Sequence, residues 1–314
     1  MDRDSIELVK PGCLGTCWYG KYHYVEPWIG CEHSCAYCYA KFRTPVKQAL
    51  RELNTDFENP EPIYEQERML ADLTAIAGSG DINMVKLSRF TDIFSPKFRE
   101  NGLSYEVVRI LAESRVNRII ITTKGVPDQK TLDLMISHKE KFSYNTVAKA
   151  EADIVLEGAV APLAEKLEVS SYLQQKGILT TIHMDPIVPG VEDDERLIKA
   201  HLHRLKESGL KRVMFSYLLL TKAMIQEITA KFGTARVKQI LSCYDEFPKQ
   251  YLPSEEETTY ISYKSQLKYE SIKRISGLLA SEGFDYVVCS LKSGGSAWVG
   301  EEKIANLCNG GFYA

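Results

Sequence analysis

The 314-residue sequence has no apolar run long enough to span a bilayer, and its opening MDRDSIELVK lacks the apolar stretch that leads a secreted chain. Those absences predict a protein of the cytoplasm with no membrane segment. No charge of one sign dominates either: 39 Lys and Arg against 42 Asp and Glu leave a net −3. That balance excludes a broad cationic surface for clamping nucleic acid and leaves only a local patch open. Tandem repeats, low-complexity tracts and a Pro/Gly/Ser linker long enough to divide the chain are also missing. Hydrophobic residues at 44% and charged residues at 26% are instead those of a chain that folds around a core.

What recurs is a strand pattern followed by a helix pattern. Short β-branched or aromatic runs occur at 23–28, 83–88, 118–122, 142–147, 179–184 and 212–217, with amphipathic stretches between them. Gly177 and Gly209 stand where left-handed helix ends are wanted, and Pro127-Asp128 opens a helix over 129–138. Successive strand–helix units require parallel strands joined by right-handed crossovers, in a barrel or an open sheet. No eighth strand and helix to close a full barrel are evident. The later sequence predicts a long helix over 221–244, another over 264–281 and a short strand at 286–290. This divides the chain into an N-terminal extension (1–22), the strand–helix region (23–240) and a C-terminal extension packed on it (241–314).

Of 8 cysteines, 5 lie within the first 38 residues. In a reducing compartment such clustering points to metal or redox chemistry. The strongest signal is Gly30-Cys31-Glu32-His33-Ser34-Cys35-Ala36-Tyr37-Cys38-Tyr39, placed directly after the first strand, at the end where parallel α/β folds put their sites. Structural zinc sites take four ligands. Three thiolates within eight residues suit an iron–sulfur cluster that keeps one iron free of protein ligands. A non-catalytic zinc module drawing on Cys13, Cys17 and the central triplet is the alternative.

Cys31-x3-Cys35-x2-Cys38, with an aromatic before the last cysteine, resembles the signature of the radical S-adenosylmethionine (AdoMet) superfamily. The longer string resembles the spore photoproduct lyase-like branch, whose loop reads Gly-Cys-x-His-x-Cys-x-Tyr-Cys-Tyr. The likeness runs over about 20–220, with weaker matches at Thr122-Thr123-Lys124 and from His183 to Gly190. It implies a partial (β/α)6 TIM-like barrel with an appended C-terminal region. It also implies a 4Fe-4S cluster on Cys31, Cys35 and Cys38, whose open iron chelates AdoMet. One electron, from a cellular reductant such as flavodoxin or ferredoxin, would then release a 5′-deoxyadenosyl radical that abstracts hydrogen from a substrate. The substrate class stays open among small molecule, peptide and nucleic acid.

By the same resemblance, Tyr37 lies near the adenine of AdoMet, with packing beneath the loop as the plainer reading. Tyr39 resembles a hydrogen-atom relay, or is a packed tyrosine opening a helix. His33 tunes the cluster or is an exposed loop histidine. Ser88 and Asp92 are candidates to hold the methionyl amine, although the Gly-Gly-Glu common in the superfamily is missing. Arg89 stands where the lyase's hydrogen-donor cysteine falls, which argues against thymine-dimer repair. Asn145 resembles a contact to AdoMet ribose or carboxylate, or caps a sheet end. Glu157 and Lys166 are expected to pair at the rim, Asp185 to face the substrate, and Ser216 and Leu218 to offer backbone groups to the adenine. Cys289 is a candidate hydrogen donor. Cys13, Cys17, Cys289 and Cys308 could share a second metal if the chain ends meet, and Cys243 is expected as a buried thiol. Gly294-Gly295-Ser296 reads as a turn or phosphate cradle and 255–257 as a solvated acidic face.

Overall fold

A computed structural model describes residues 6–12, 22–152, 155–248, 250–251, 259–290, 292–293, 298–299, 302–303, 306–308 and 312. The chain is α/β with a mainly parallel sheet of eight strands, and it divides into two compact units.

The first unit takes the described parts of 1–12, 21–146 and 157–180. Edge strand β1 (Val9–Pro11) runs antiparallel to β2 (His23–Val25). Three further strands continue in parallel: β3 (Met84–Leu87), β4 (Arg118–Thr123) and β5 (Phe142–Val147). Pairing of Leu87 with Ile121 and of Ile121 with Tyr144 puts one apolar set on one face. The longer helices beside these strands are α1 (Thr44–Glu52), α2 (Gln66–Gly78), α3 (Leu103–Glu113), α4 (Gln129–Ser137) and α5 (Leu163–Gln175). Val85, Leu87, Ile119, Ile121, Phe142 and Tyr144 form one core with Leu73, Val107, Met135 and Leu173 of α2 to α5. Each such side chain contributes roughly 1.5–3 kcal/mol by leaving water. The start of α4 follows from Asp128, whose carboxylate accepts from Thr131 N at 2.7 Å. Gly177 ends α5 in a left-handed conformation, φ +92°, as its position predicts.

Among the described residues the second unit takes 181–314 and the short stretch 147–156. Strands β6 (Leu179–Ile187), β7 (Arg212–Tyr217) and β8 (Asp285–Val288) are parallel, with Met184 and Val288 both paired to Phe215. Its helices are α6 (Glu195–Glu207), α7 (Lys222–Phe232), α8 (Thr234–Leu241) and α9 (Ser265–Ser281). Two expectations change here. The helix predicted over 221–244 is two helices, because Gly233 takes φ +81° and ψ 156°, a conformation that ends one helix and redirects the chain into the next. The short late strand joins β7, which extends the parallel series beyond the six strands read from the sequence. No described helix is long and apolar enough to cross a membrane.

Candidate functional site

The cysteine loop begins where β2 gives way to Gly30, which adopts φ +94°. A Cβ there would lie 2.7 Å from Phe57 O and 2.9 Å from Pro60 Cα, so only glycine lets the loop start against that backbone. Cys31 N then donates to Phe57 O at 2.7 Å, Thr91 Oγ1 donates to Gly30 O, and Cys38 N donates to Cys35 O at 3.0 Å. The Glu32 carboxylate accepts from Ser95 Oγ and Lys97 N, both at 2.7 Å, and so caps the short helix Pro96–Glu100. Cys31, Cys38 and Tyr39 pack against Ile29, Ala40, Val46, Leu50, Phe57 and Phe90. Every sulfur is thus carried on backbone that is tied down on several sides.

The three thiols feel one another's charge. Burial pushes Cys31 well up, and Asp92, Cys38 and Cys35 push it further. Burial, then Cys35, raise Cys38 to about 11. Three thiolates this close to one another are not favoured there without a compensating positive charge. Among the described residues no three His, Cys, Asp or Glu side chains converge as a single-ion site. Three soft sulfur donors on one loop are the donor set that an iron–sulfur cluster would take.

His33 is buried, only 2% exposed, which corrects the expectation of an exposed loop histidine. Its Nδ1 lies 2.8 Å from Ala159 O and its Nε2 lies 3.2 Å from Asp92 Oδ2, an ion-pair contact. Both neighbouring atoms are oxygen acceptors, an arrangement that favours the protonated ring. Burial alone would lower its pKa, but Asp92 and the Ala159 carbonyl raise it. Asp92 is the reciprocal case. Burial would raise it, yet His33, Lys124 N at 2.7 Å and Thr123 Oγ1 at 2.6 Å hold it at about 2. With Phe94 N at 2.9 Å on Oδ1 as well, its carboxylate binds the cysteine loop to the ends of β3 and β4.

Segment 157–159 closes over the loop. Gly158 N donates to His33 O at 3.0 Å, and a Cβ on Gly158 would come within 2.6 Å of that carbonyl. Tyr37 donates to Glu157, whose Oε1 also accepts from Lys124 Nζ at 2.9 Å, and that ammonium lies 5.4 Å from the Tyr37 ring centre. The acid therefore pairs with Lys124 and not, as expected, with Lys166. Lys166 is buried beside them, and burial followed by the Lys124 charge lowers it to about 8, against the pull of Glu157.

The face of β3 to β5 opposite the helices is mixed, with buried Ile120 between Lys86 and Ser143. Thr122 and Asn145 are paired in register, and Ser88 follows the end of β3. Ser88 Oγ, Thr122 Oγ1, Ser143 Oγ and Asn145 Oδ1 are buried without a hydrogen-bond partner, while Asn145 Nδ2 donates to Ile121 O at 2.9 Å. Leaving such atoms unpaired costs about 1–3 kcal/mol each, which a polar ligand or water would recover. Of the residues expected to meet AdoMet, Ser88 and Asn145 each bury an oxygen without a partner. Tyr39 OH donates to Arg89 O at 2.6 Å, and the Arg89 guanidinium lies 4.7 Å from the Phe90 ring and 5.6 Å from that of Tyr24. Sequence reading missed Glu26. Its buried carboxylate accepts from Arg89 N and, at 3.2 Å, from Phe90 N. Burial outweighs those bonds and raises it to about 8. An acid directly after a strand, two residues beyond Tyr24, was the available signal.

In the second unit Asp185 accepts from Ser216 Oγ and, at 2.5 Å, from Lys292 Nζ. Burial would raise Asp185, but Lys292 and Ser216 hold it at about 2. Ser216 therefore spends its hydroxyl on Asp185. Leu218 has neither backbone group free, with N donating to Ile187 O at 2.9 Å and O accepting from Tyr244 OH at 2.9 Å. Cys289 and Cys308 are buried together, whereas Cys243, expected as a buried thiol, is half-buried. Cys13, Cys17, Gly294-Gly295-Ser296 and 255–257 lie outside the described residues.

No protein-family model matches the chain, and no curated protein matches its sequence. Solved structures do match in fold. A spore photoproduct lyase variant with bound AdoMet and dinucleoside spore photoproduct superposes with a TM-score of 0.61 at 13% identity, covering 87% of this chain and 78% of the other. The lyase complexed with dinucleoside spore photoproduct gives 0.61 at 13% over 85% and 75%, and a further variant gives 0.62 at 12% over 85% and 75%. The expected partial-barrel α/β fold, and its likeness to the spore photoproduct lyase branch, are therefore met.

Proposed function

We propose that this chain is a radical AdoMet enzyme acting on a substrate other than a thymine dimer. The observation that carries the reading is the set of three mutually interacting thiols, Cys31, Cys35 and Cys38, on a braced loop after β2 in a fold shared with spore photoproduct lyase. These thiols would hold the 4Fe-4S cluster. Ser88 and Asn145, with their unpartnered oxygens, would take polar groups of AdoMet, and Tyr37, held by Glu157 under Lys124, would flank its adenine. Bound there, cluster and AdoMet supply one-electron reductive cleavage and a carbon radical able to take hydrogen from a substrate.

The rest of the work belongs to the chain. The His33–Asp92 pair fixes the cysteine loop against the ends of β3 and β4, so that a ligand meets a preorganised surface. Arg89, a side chain with no transferable hydrogen atom of the thiol kind, is stacked on Phe90 and Tyr24 at the position where the lyase resemblance places its donor cysteine. That favours a small molecule or peptide over damaged DNA. A cytoplasmic one-electron carrier such as flavodoxin or ferredoxin would supply the electron.

The test is anaerobic reconstitution with iron and sulfide, followed by reductant and AdoMet. The expected product is 5′-deoxyadenosine with methionine, lost in each of Cys31→Ser, Cys35→Ser and Cys38→Ser while circular dichroism stays unchanged. A protein that takes up zinc and no iron, or an intact cluster that leaves AdoMet whole, would overturn the proposal.

A further inference from the structure

The second unit holds a pair of thiols that the proposed chemistry does not use. Val288, the last residue of β8, forms a parallel bridge with Leu307. Its two flanking bonds are Val288 N to Asn306 O at 2.8 Å and Cys308 N to Val288 O at 2.9 Å. One step further along this register stand Cys289 and Cys308. Strand alternation turns both side chains to the same face, opposite to that of Val288 and Leu307. There they share a small buried cluster with Met214, against which Val287 and Phe312 pack, and they are 8% and 7% exposed. Neighbouring strands lie about 4.7–4.9 Å apart, inside the 4.4–6.8 Å Cα separation that a disulfide spans.

Burial, with Asp185 and Cys308, raises the Cys289 thiol against the pull of Lys292, and the influence of Cys308 on it is a further sign that the two sulfurs are close. Lys292 is itself held by Asp185 at 2.5 Å, and Cys289 O accepts from Ser293 Oγ at 2.6 Å and Ser293 N at 3.1 Å, which makes the turn after β8 compact. A tetrahedral zinc site would need two ligands beyond this pair. A disulfide needs none.

We infer that Cys289 and Cys308 form a redox-reactive dithiol, a site of reversible disulfide formation that takes a small-molecule disulfide as its oxidant. The Cys289 thiolate attacks one sulfur of the reagent, forming a mixed disulfide and expelling one thiolate. Cys308 then attacks the Cys289 sulfur, closing the internal bond and expelling the second. Two electrons pass from the protein sulfurs to the reagent, and the two thiol protons leave with the released small thiols. The bond would tie 306–308 to the end of β8, beside Asp185 and Ser216. This inference stands whether or not the cluster reading holds.

The full-length protein with its metal complement is treated anaerobically with hydroxyethyl disulfide, denatured in alkylating agent and digested with trypsin. Cleavage after Arg274, Lys292 and Lys303 places the two thiols in separate peptides, 275–292 and 304–314. The expected product is these two joined, two hydrogens lighter than their sum and more than ~10-fold in excess of any pairing with Cys243, because neighbours react at high effective concentration. Cys308→Ser should instead trap the mixed disulfide on Cys289. The inference fails if both thiols stay fully alkylatable in the wild-type chain, if either joins another cysteine, or if they react only after a bound metal is stripped.

Discussion

On β3, β4 and β5 the residues Val85, Leu87, Ile119, Ile121, Phe142 and Tyr144 are sealed against helices, whereas the alternate positions carry Lys86, Thr122, Ser143 and Asn145 around a single isoleucine, Ile120. Both sets are largely buried. The first gains by leaving water, while the second leaves oxygen atoms unpaired in the interior. A sheet selected for stability alone would fill the second face as it fills the first. One face therefore supports the fold, and the other gives up stability to present polar groups below the loops that carry the cysteines and Asp92.

The contrast can be broken by substitution on either side. Leu87→Ala should cost about 3–5 kcal/mol in chemical denaturation, because it opens a cavity in a sealed core. Glu26→Gln should behave in the opposite sense. The folded chain keeps a proton on Glu26 up to about 8, while an unfolded chain releases it near 4.5. Wild-type stability should therefore fall as pH rises through that window, and the glutamine variant should escape the loss. At pH 9 it should be the more stable by on the order of 2 kcal/mol; equal urea midpoints at pH 5 and 9 would contradict a buried, protonated acid.

Smaller effects sharpen the same picture. Asp185 is depressed to about 2 from an ordinary 3.8 by Lys292 and Ser216, so its contribution is present above the ordinary value and is lost as pH falls through 2. Lys292→Met should remove it, lowering stability at pH 7 by roughly 1–2 kcal/mol and moving acid unfolding to higher pH. Ser143→Ala should be nearly neutral, within about 0.5 kcal/mol, since its hydroxyl has no partner to lose. A cost as large as that at Leu87 would show that the polar face is structural after all. Gly158→Ala should leave global stability within about 1 kcal/mol yet reduce iron retained after reconstitution, because its Cβ would press on the His33 carbonyl.

Much of the strand–helix alternation was legible because period-2 and period-3.6 patterns are local. The strands at 118–122, 142–147 and 212–217 appear at or within one residue of the predicted bounds, and Asp128 caps where expected. The break at Gly233 was missed because the hydrophobic period continues through it, and a glycine declares its φ only in the folded chain. His33 was misread for a related reason. A histidine in a polar loop looks exposed until segment 157–159 is seen to cover it, more than a hundred residues further on. Glu157 likewise found Lys124 and Tyr37 in place of Lys166, a choice of partner that depends on how three separate segments meet.

The sequence by itself determined the element types, the parallel course of the strands and the presence of three closely spaced thiols, since these depend on neighbours a few residues apart. Tertiary structure alone decided that His33 is buried against Asp92, that Glu26 grips the backbone at Arg89 and Phe90, and that Cys289 stands beside Cys308. Those facts arise from contacts between residues 19 to 64 positions apart, where desolvation and charge act through space and leave no periodic trace along the chain.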